Sequence, residues 1–343
     1  MKHDTNGNAD FSFVPLRCPV CGLPLQLLPG EACCGHNHRF DRAKQGYFNL
    51  LLSQSSGLGH HGDDRLMLTE RRSFLEKGYY LPMGRRMAEL AAAYFPVPGV
   101  RCSDENPDSR SVGPERTAPD GAGSEAGYGH CSFGSDAGCE HSSSFSASPE
   151  SGSFPLILDC GCGEGYYSRE LYTSLESAGI PVSMLCLDIS KEAAKLTARR
   201  CFPHATVVAS AYELPVLTGS CSMIVDIFAP VAEKEFYRAL APDGILIRVV
   251  PQEKHLWELK QAVYDRPYEN PPVDPELEGF TFLYRENIDY TIELDTAEDI
   301  RSLFKMTPYY YKTSRADQSK LEALQSLATR LSFAILVSRR KNG

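Results

Sequence analysis

From residue 154 to residue 263 the sequence alternates short apolar runs with longer amphipathic ones, and few folds accept such a pattern. "FPLILDCG" reads as a buried strand and "EGYYSRELYTSLESAG" as a helix ending at Gly179. "VSMLCLDI" is a second strand, after which Ser190 stands where it would cap the helix "KEAAKLTARRCF". "ATVVAS" and "CSMIVDIFAP" follow as strands, "AEKEFYRAL" as a helix, "GILIRVVP" as a fifth strand and "KHLWELKQAVY" as another helix. Strands without a polar face must be covered on both sides. Intervening helices supply that cover, so the pattern predicts βαβ units around a parallel sheet. "FLYRENIDYTIEL" and "SFAILVSRR" add two strands near the end, which makes an α/β fold with a mixed sheet of seven.

Upstream, "RLMLTERRSFLEKGYYLPMGRRMAELAAAYF" has helical periodicity. Leu66, Leu68, Phe74 and Leu75 fall on one helix, and Met83, Met87, Leu90 and Ala91 on one face of a second, with a break from Gly78 to Pro82. Residues 101–153 are rich in Ser, Gly and acid and poor in aliphatic side chains, too poor to offset the entropy of ordering, which predicts a disordered insertion. The 343 residues therefore divide into an N-terminal lobe (1–50), a helical connector (51–100), the insertion (101–153) and the α/β domain (154–343). There is no apolar run of about 18 residues and no apolar signal core in "MKHDTNGNADFSF", so a cytoplasmic protein without a membrane partner is expected. The net charge of −9 does not suggest nucleic-acid binding, but much of the acidity lies in residues 101–155, near −6, whereas residues 1–100 are near +2.

"DCGCGEGYYSREL" joins the first strand to its helix. Gly161, Gly163 and Gly165 permit a tight turn and close approach of ligand atoms to the backbone, and the helix start offers unpaired N–H donors. Asp159 ends the first strand and Asp188, followed by Ile189, ends the second, where a carboxylate can accept both ribose hydroxyls. NAD and FAD carry a pyrophosphate that Asp159 and Glu164 would repel, whereas the same acids suit the cationic sulfonium and ammonium of S-adenosylmethionine. "LDCGCGEGYY" with "LDIS" resembles the motifs of Rossmann-like class I methyltransferases. That likeness places Ser210 and Ala211 beside the adenine and Asp226, in "DIFAP", near the acceptor. One residue between Cys160 and Cys162 is a poor metal spacing, so both are read as buried small side chains.

The N-terminal cysteines differ. Cys18-x2-Cys21, twelve residues, Cys34, three residues and His38 supply three thiolates and an imidazole for a closed tetrahedral zinc site, with Cys33 and His36 as alternative second-pair ligands. So small a lobe has little core, and metal binding would supply much of its stability.

"CPVCGLPL", "HRFDRAKQGYFNLL", "RRSFLEKGYYLPM", "LDCGCGEGYY", "HLWELK" and "KMTPYYY" occur in this order. Together they resemble the bacterial 23S rRNA guanine-N1 methyltransferases, a family that includes macrolide-resistance enzymes. The resemblance implies a zinc lobe that recognises an rRNA hairpin and a catalytic domain that methylates one guanine. It matches Tyr80, Glu164, Gly165 and His255 to cofactor-binding positions, and members of the family can form dimers. Arg39, Arg42, Lys44, Arg65, Arg71, Arg72, Arg85 and Arg86 are then candidates for phosphate, and Tyr47 and Phe48 for base stacking. Guanine N1 must lose its proton, and Asp64 and Asp226 are the carboxylates to consider as base. A small-molecule methyltransferase and a non-catalytic rRNA-binding assembly factor are the alternatives.

Overall fold

The computed structural model describes residues 14–52, 63–96, 154–200 and 204–342. The region expected to be an insertion, 101–153, lies outside them. The first strands are short: β1 (Leu25–Leu27), β2 (Glu31–Cys34) and β3 (Arg39–Asp41) pair antiparallel in a small sheet. The main sheet has eight strands rather than seven. The extra one is β4 (Tyr47–Asn49), which pairs parallel with β7 (His204–Val208) at the sheet's edge. Three residues with no alternation are too short to read as a strand, and only the long-range pairing makes them one.

The remaining strands fall where the pattern placed them: β5 (Leu156–Cys160), β6 (Ser183–Asp188), β8 (Cys221–Ile227), β9 (Leu240–Pro251), β10 (Phe280–Leu294) and β11 (Leu327–Arg340). Their order is β10-β11-β9-β8-β5-β6-β7-β4, parallel from β9 to β4, with β11 antiparallel between β9 and β10. The chain runs from β5 outward to β7 and then returns to β8 on the other side of β5. The crevice at that reversal, beyond the carboxyl ends of β5 and β8, is where open α/β sheets bind ligands.

Alternation along the strands separates two cores. Ile157, Met184, Met223, Val225 and Ile247 belong to one cluster, and Leu156, Leu158, Cys160, Leu185, Ile224 and Leu246 to the other. The first is covered by α2 (Leu81–Ala93), which packs on α3 (Tyr166–Ser177) closely enough that a Cβ on Gly84 would stand 3.4 Å from the Tyr167 ring. Met83, Met87, Leu90 and Ala91 are all buried. On α1 (Arg65–Leu75), the helix expected to carry Leu66, Leu68, Phe74 and Leu75, the inward residues are Met67, Leu68, Phe74 and Leu75, while Leu66 is 42% exposed.

The second cluster also takes in Val14, Leu16, Cys18, Leu25, Ala32, Cys34 and Phe48. Arg17 N–H donates to Pro215 O at 2.9 Å and Leu217 N–H to Pro15 O at 3.0 Å, so the N-terminal lobe is tied to the main sheet here as well as through β4. All described residues fall in one compact unit. The other helices are α4 (Lys191–Thr197), α5 (Glu233–Ala239), α6 (Trp257–Val263), α7 (Ala297–Lys305) and α8 (Arg315–Glu322). Among the described residues, no helix is long and apolar enough to cross a membrane.

Candidate active site and metal centre

The glycine loop leaves β5 in a conformation that side chains resist. Gly161 has φ +82°, and a Cβ there would lie 2.5 Å from the Ala229 side chain. Gly165 has φ +80° and opens α3, with Thr197 only 3.0 Å from the place of a Cβ. The loop is held by the N–H groups of Gly161 and Cys162, which donate to Leu187 O at 2.8 and 2.9 Å. It forms one wall of a cavity of about 540 Å³ at the sheet reversal, a size typical of small-ligand sites.

Three carboxylates stand at the ends of adjacent strands, Asp159 and Asp226 buried and Asp188 partly so. Asp188 borders the cavity, where Oδ2 accepts Gly163 N–H at 2.9 Å and Oδ1 accepts Ser190 N–H at 2.8 Å. Burial pushes its carboxyl up to about 6 against those two bonds. Asp159 lies below the cavity wall and accepts the Ser168 hydroxyl at 2.5 Å; burial pushes it up to about 7. Asp226 also lies beneath the lining, where Oδ1 accepts Ala229 N–H at 3.2 Å and burial, opposed by Arg248, raises it to about 7. Where they are ionised, these strand-end carboxylates disfavour an anionic ligand and tolerate a cationic one.

Glu164 borders the cavity, but its carboxylate is paired with Arg200, whose Nε also donates to Glu164 O at 2.7 Å. Its charge is therefore met from within the protein and is not offered whole to a sulfonium, as the sequence suggested. Ile189, Ser210 and Ala211 border the cavity beside Asp188. Ser210 Oγ accepts Tyr212 N–H at 3.2 Å and so turns the chain after β7.

The opposite wall is aromatic. Tyr80 is buried at the start of α2, with the rings of Phe333, His255 and Phe228 at 5.4, 6.4 and 6.5 Å. His255 accepts Ser332 N–H on Nδ1 at 3.2 Å, and burial lowers it to about 3, so the ring is neutral at physiological pH. Phe228 has φ +59°, a strained conformation for a bulky residue, and is 42% exposed at the cavity rim. The sequence marks Phe228 only as part of "DIFAP", and its backbone strain has no sequence signature.

Asp64 is elsewhere. It caps α1, accepting Met67 N–H at 2.9 Å on Oδ1, while Oδ2 accepts the Tyr311 hydroxyl; it does not line the cavity. Its neighbour Asp63 does, paired with Arg71. Several of the candidate phosphate-binding arginines also have acidic partners: Arg39 with Glu31, Arg72 with Glu76, and Arg86 with Glu89 and Glu286. Tyr47 and Phe48 are buried in β4 and are not presented for stacking.

Of the two candidate second pairs, Cys34 and His38 are the ones brought to Cys18 and Cys21. Successive residues of β2 point to opposite faces, so Cys34 turns inward while Cys33 pairs across the strand with Gln26 and Arg39. His36 is exposed. One ligand atom from each of Cys18, Cys21, Cys34 and His38 lies within 4.8 Å of the others. Cys21 Sγ is 3.6 Å from Cys34 Sγ, and His38 Nδ1 is 3.6 Å from Cys18 Sγ and 3.4 Å from Cys34 Sγ. Zinc–sulfur and zinc–nitrogen bonds in a tetrahedron require edges of about 3.5–3.8 Å, which these separations match. Two backbone turns present the donors: Gly22 N–H bonds Cys18 O at 2.9 Å, and Asn37, at φ +61°, bonds Cys34 O at 2.8 Å. Desolvation raises the Cys34 thiol, but N–H groups of His38 and His36 outweigh it and bring it down to about 6, toward the thiolate a metal needs.

A Rossmann-like sheet with a glycine loop, a strand-end aspartate and a cation-tolerant cavity, joined to a Cys3His ribbon, defines a zinc-containing class I methyltransferase that uses S-adenosylmethionine. Residues 157–244 match the methyltransferase domain family, and residues 16–55 match the N-terminal zinc-ribbon family of RlmA. The chain is 33% identical over 250 residues to a protein of Micromonospora griseorubida provisionally named a 23S rRNA (guanine-N(1)-)-methyltransferase, covering 71% of this chain and 68% of that one. It is 28% identical to the 23S rRNA (guanine(748)-N(1))-methyltransferase of Streptomyces fradiae, covering 72% and 67%. With YxjB of Bacillus subtilis, provisionally named for the same guanine-N1 activity, identity is 27% across 96% of this chain and 97% of that one. The chain belongs to the 23S rRNA (guanine-N1)-methyltransferase family.

Proposed function

We propose that this chain transfers a methyl group from S-adenosylmethionine to N1 of a guanine in a 23S rRNA hairpin. The observation that carries the reading is the ribbon's attachment to the methyltransferase sheet, through β4 and the shared core, in a chain of this family. A small-molecule enzyme has no evident use for such a module. The intact glycine loop and Asp188 clamp speak against a non-catalytic assembly factor.

When bound, S-adenosylmethionine would supply an electrophilic methyl on a sulfonium that becomes a neutral thioether on transfer. Asp188, Ile189, Ser210 and Ala211 are suited to the adenosine end. Gly161, Gly163 and Gly165 keep the loop low enough for that ligand, and neutral His255 and Tyr80 close the far wall without adding charge. Phe228 offers an exposed ring at the rim, where a guanine flipped from its stem can stack. Guanine N1 gives up its proton as its lone pair takes the methyl. Asp226, titrating near 7 beneath Phe228 and Ala229, is the better placed carboxylate to draw that proton off, and Asp64 is committed to capping. Arg85 and Lys44 are exposed and remain candidates for phosphate contact. We further read residues 1–50 as the hairpin-recognising lobe, 51–100 as connector, 101–153 as insertion and 154–343 as catalytic domain, and self-association as testable by sedimentation.

The experiment is transfer of labelled methyl to protein-free large-subunit rRNA, followed by mapping of reverse-transcription stops. N1 methylation blocks Watson–Crick pairing, so one new stop at a guanine is expected. Label in a small molecule instead of rRNA would select the small-molecule enzyme, and rRNA binding without label the assembly factor.

A further inference from the structure

The cofactor's sulfur carries three arms: the adenosyl group, the transferable methyl and an amino-acid chain that ends in an α-ammonium and an α-carboxylate. The Asp188 side of the cavity suits the first and the Phe228 rim the second. The zwitterionic third arm needs its own receptor, because a buried charge without a partner is strongly unfavourable.

Among the described residues that line the cavity, Arg71 is the only lysine or arginine. It is paired there with Asp63, and the two side chains are 26% and 27% exposed, open to the cavity yet held. Arg71 Nη2 donates to Met306 O at 3.2 Å. Nη1 stands 3.6 Å from the place of a Cβ on Gly163, so the guanidinium lies directly over the glycine loop. Asp63 is fixed in turn, since its carbonyl accepts the Ser190 hydroxyl at 2.9 Å at the start of α4. A cation and an anion side by side on one wall are the mirror of a zwitterion. A guanidinium has five N–H donors in a planar fork, so Arg71 can keep Met306 O and still take a carboxylate.

We propose that the Asp63–Arg71 pair receives the amino-acid end of the cofactor, the carboxylate on Arg71 and the ammonium on Asp63. Both are binding residues of the cavity. The proposal rests on the cofactor reading above.

Calorimetry with two thioethers tests it. S-adenosylhomocysteine has the amino-acid arm, and 5′-methylthioadenosine shares the adenosine and sulfur but lacks that arm. For Arg71→Gln, binding of the first should weaken about thirtyfold, the loss of one charge-assisted pair, and binding of the second should stay within about twofold. Asp63→Asn should weaken the first about tenfold and again spare the second. Equal loss of both ligands in either variant, or undiminished binding of S-adenosylhomocysteine, overturns the proposal. Should Arg71→Gln fail to fold, Arg71→Lys gives the same comparison: it keeps the charge, loses the fork and should weaken only S-adenosylhomocysteine. Wild-type protein that bound neither thioether would overturn the cofactor reading itself, an outcome separable because it precedes any variant.

Discussion

Cysteines crowd two loops of this chain, and the same side chain does opposite things in them. In the ribbon, Cys18, Cys21 and Cys34 converge with His38 as a set of four donors, and backbone N–H groups bring the Cys34 thiol down to about 6. In the glycine loop, Cys160 and Cys162 are buried, and burial pushes both thiols well above their ordinary value. Spacing alone separates the two cases. Two residues between cysteines allow a knuckle turn that converges both thiols on one ion, whereas Cys160 ends β5 within the core and Cys162 stands in the turn beyond it, against Thr197. The loops differ in how they are held, too. The ribbon's three short strands bury little of their own, while the glycine loop hangs from β5 and β6, which are apolar on both faces.

The largest effect should come from breaking the ribbon. Structural zinc binding is worth on the order of 10 kcal/mol to a small lobe, and this lobe shares its core with the sheet. Cys34→Ser, or a strong chelator, should reduce zinc content from one per chain to near none. It should open residues 14–52 to protease and lower the midpoint of thermal unfolding for the whole described unit. Acidification should also release zinc from the wild type, because protons compete with the metal for its thiolates. An unchanged melting curve in zinc-free protein would show that the shared core suffices without the metal.

Next is Asp226, where activity and stability should move in opposite directions. Asp226→Asn should reduce methyl transfer about 100-fold or more, the usual contribution of a positioned base, with S-adenosylhomocysteine binding unchanged. The folded carboxyl titrates near 7 and an unfolded aspartate near 3.9, so between those values the folded state binds the extra proton. Stability therefore falls as pH rises from about 4 to about 7. The amide removes that burden, so the variant should melt a few degrees above wild type at pH 8 and close to it at pH 4. Asp64→Asn should leave transfer nearly unaltered, since asparagine caps a helix as well as aspartate does. A reversed ranking of the two variants would exchange the roles given to these residues.

A smaller effect is expected at the cofactor clamp. Asp188→Asn keeps the shape but weakens the acceptor for ribose hydroxyls and for Gly163 N–H, so both S-adenosylhomocysteine and 5′-methylthioadenosine should bind about tenfold more weakly. That shared loss is the converse of the selective loss expected at Arg71. Loss confined to S-adenosylhomocysteine would move Asp188 to the amino-acid end.

What the sequence made legible follows from the range of the interactions. The sheet, the glycine loop, the Ser190 cap and the ribbon ligands are written in patterns of a few to twenty residues. Contacts between distant segments were not legible. β4 becomes a strand only against β7, and Arg200 reaches Glu164 from 36 residues away. Arg71, a candidate for phosphate on its helix face, is turned inward by Met306, 235 residues on. Asp64 beside Asp63 shows the finest limit: adjacent identical side chains, one a cap and one at a cavity, are separated only by where α1 begins.

The smallest expected effect returns to the ribbon and to the ambiguity its sequence left. Cys33 and His36 have the right chemistry to bind zinc, and neither has the right direction. Strand β2 alternates, so drawing Cys33 to the metal would push Cys34 out and slip every pair that β2 makes with β1 and β3 by one residue. Cys33→Ser and His36→Ala should therefore retain one zinc per chain, with a chelator-exchange rate within about twofold of wild type, since neither alters a bound donor. Cys33 should also react with a thiol reagent in zinc-loaded protein, when Cys18, Cys21 and Cys34 are protected and Cys160 is inaccessible. Loss of zinc in Cys33→Ser with retention in Cys34→Ser would mean that the strand is in the other register, and the comparison between the two cysteine loops would have to be redrawn from β2 onward.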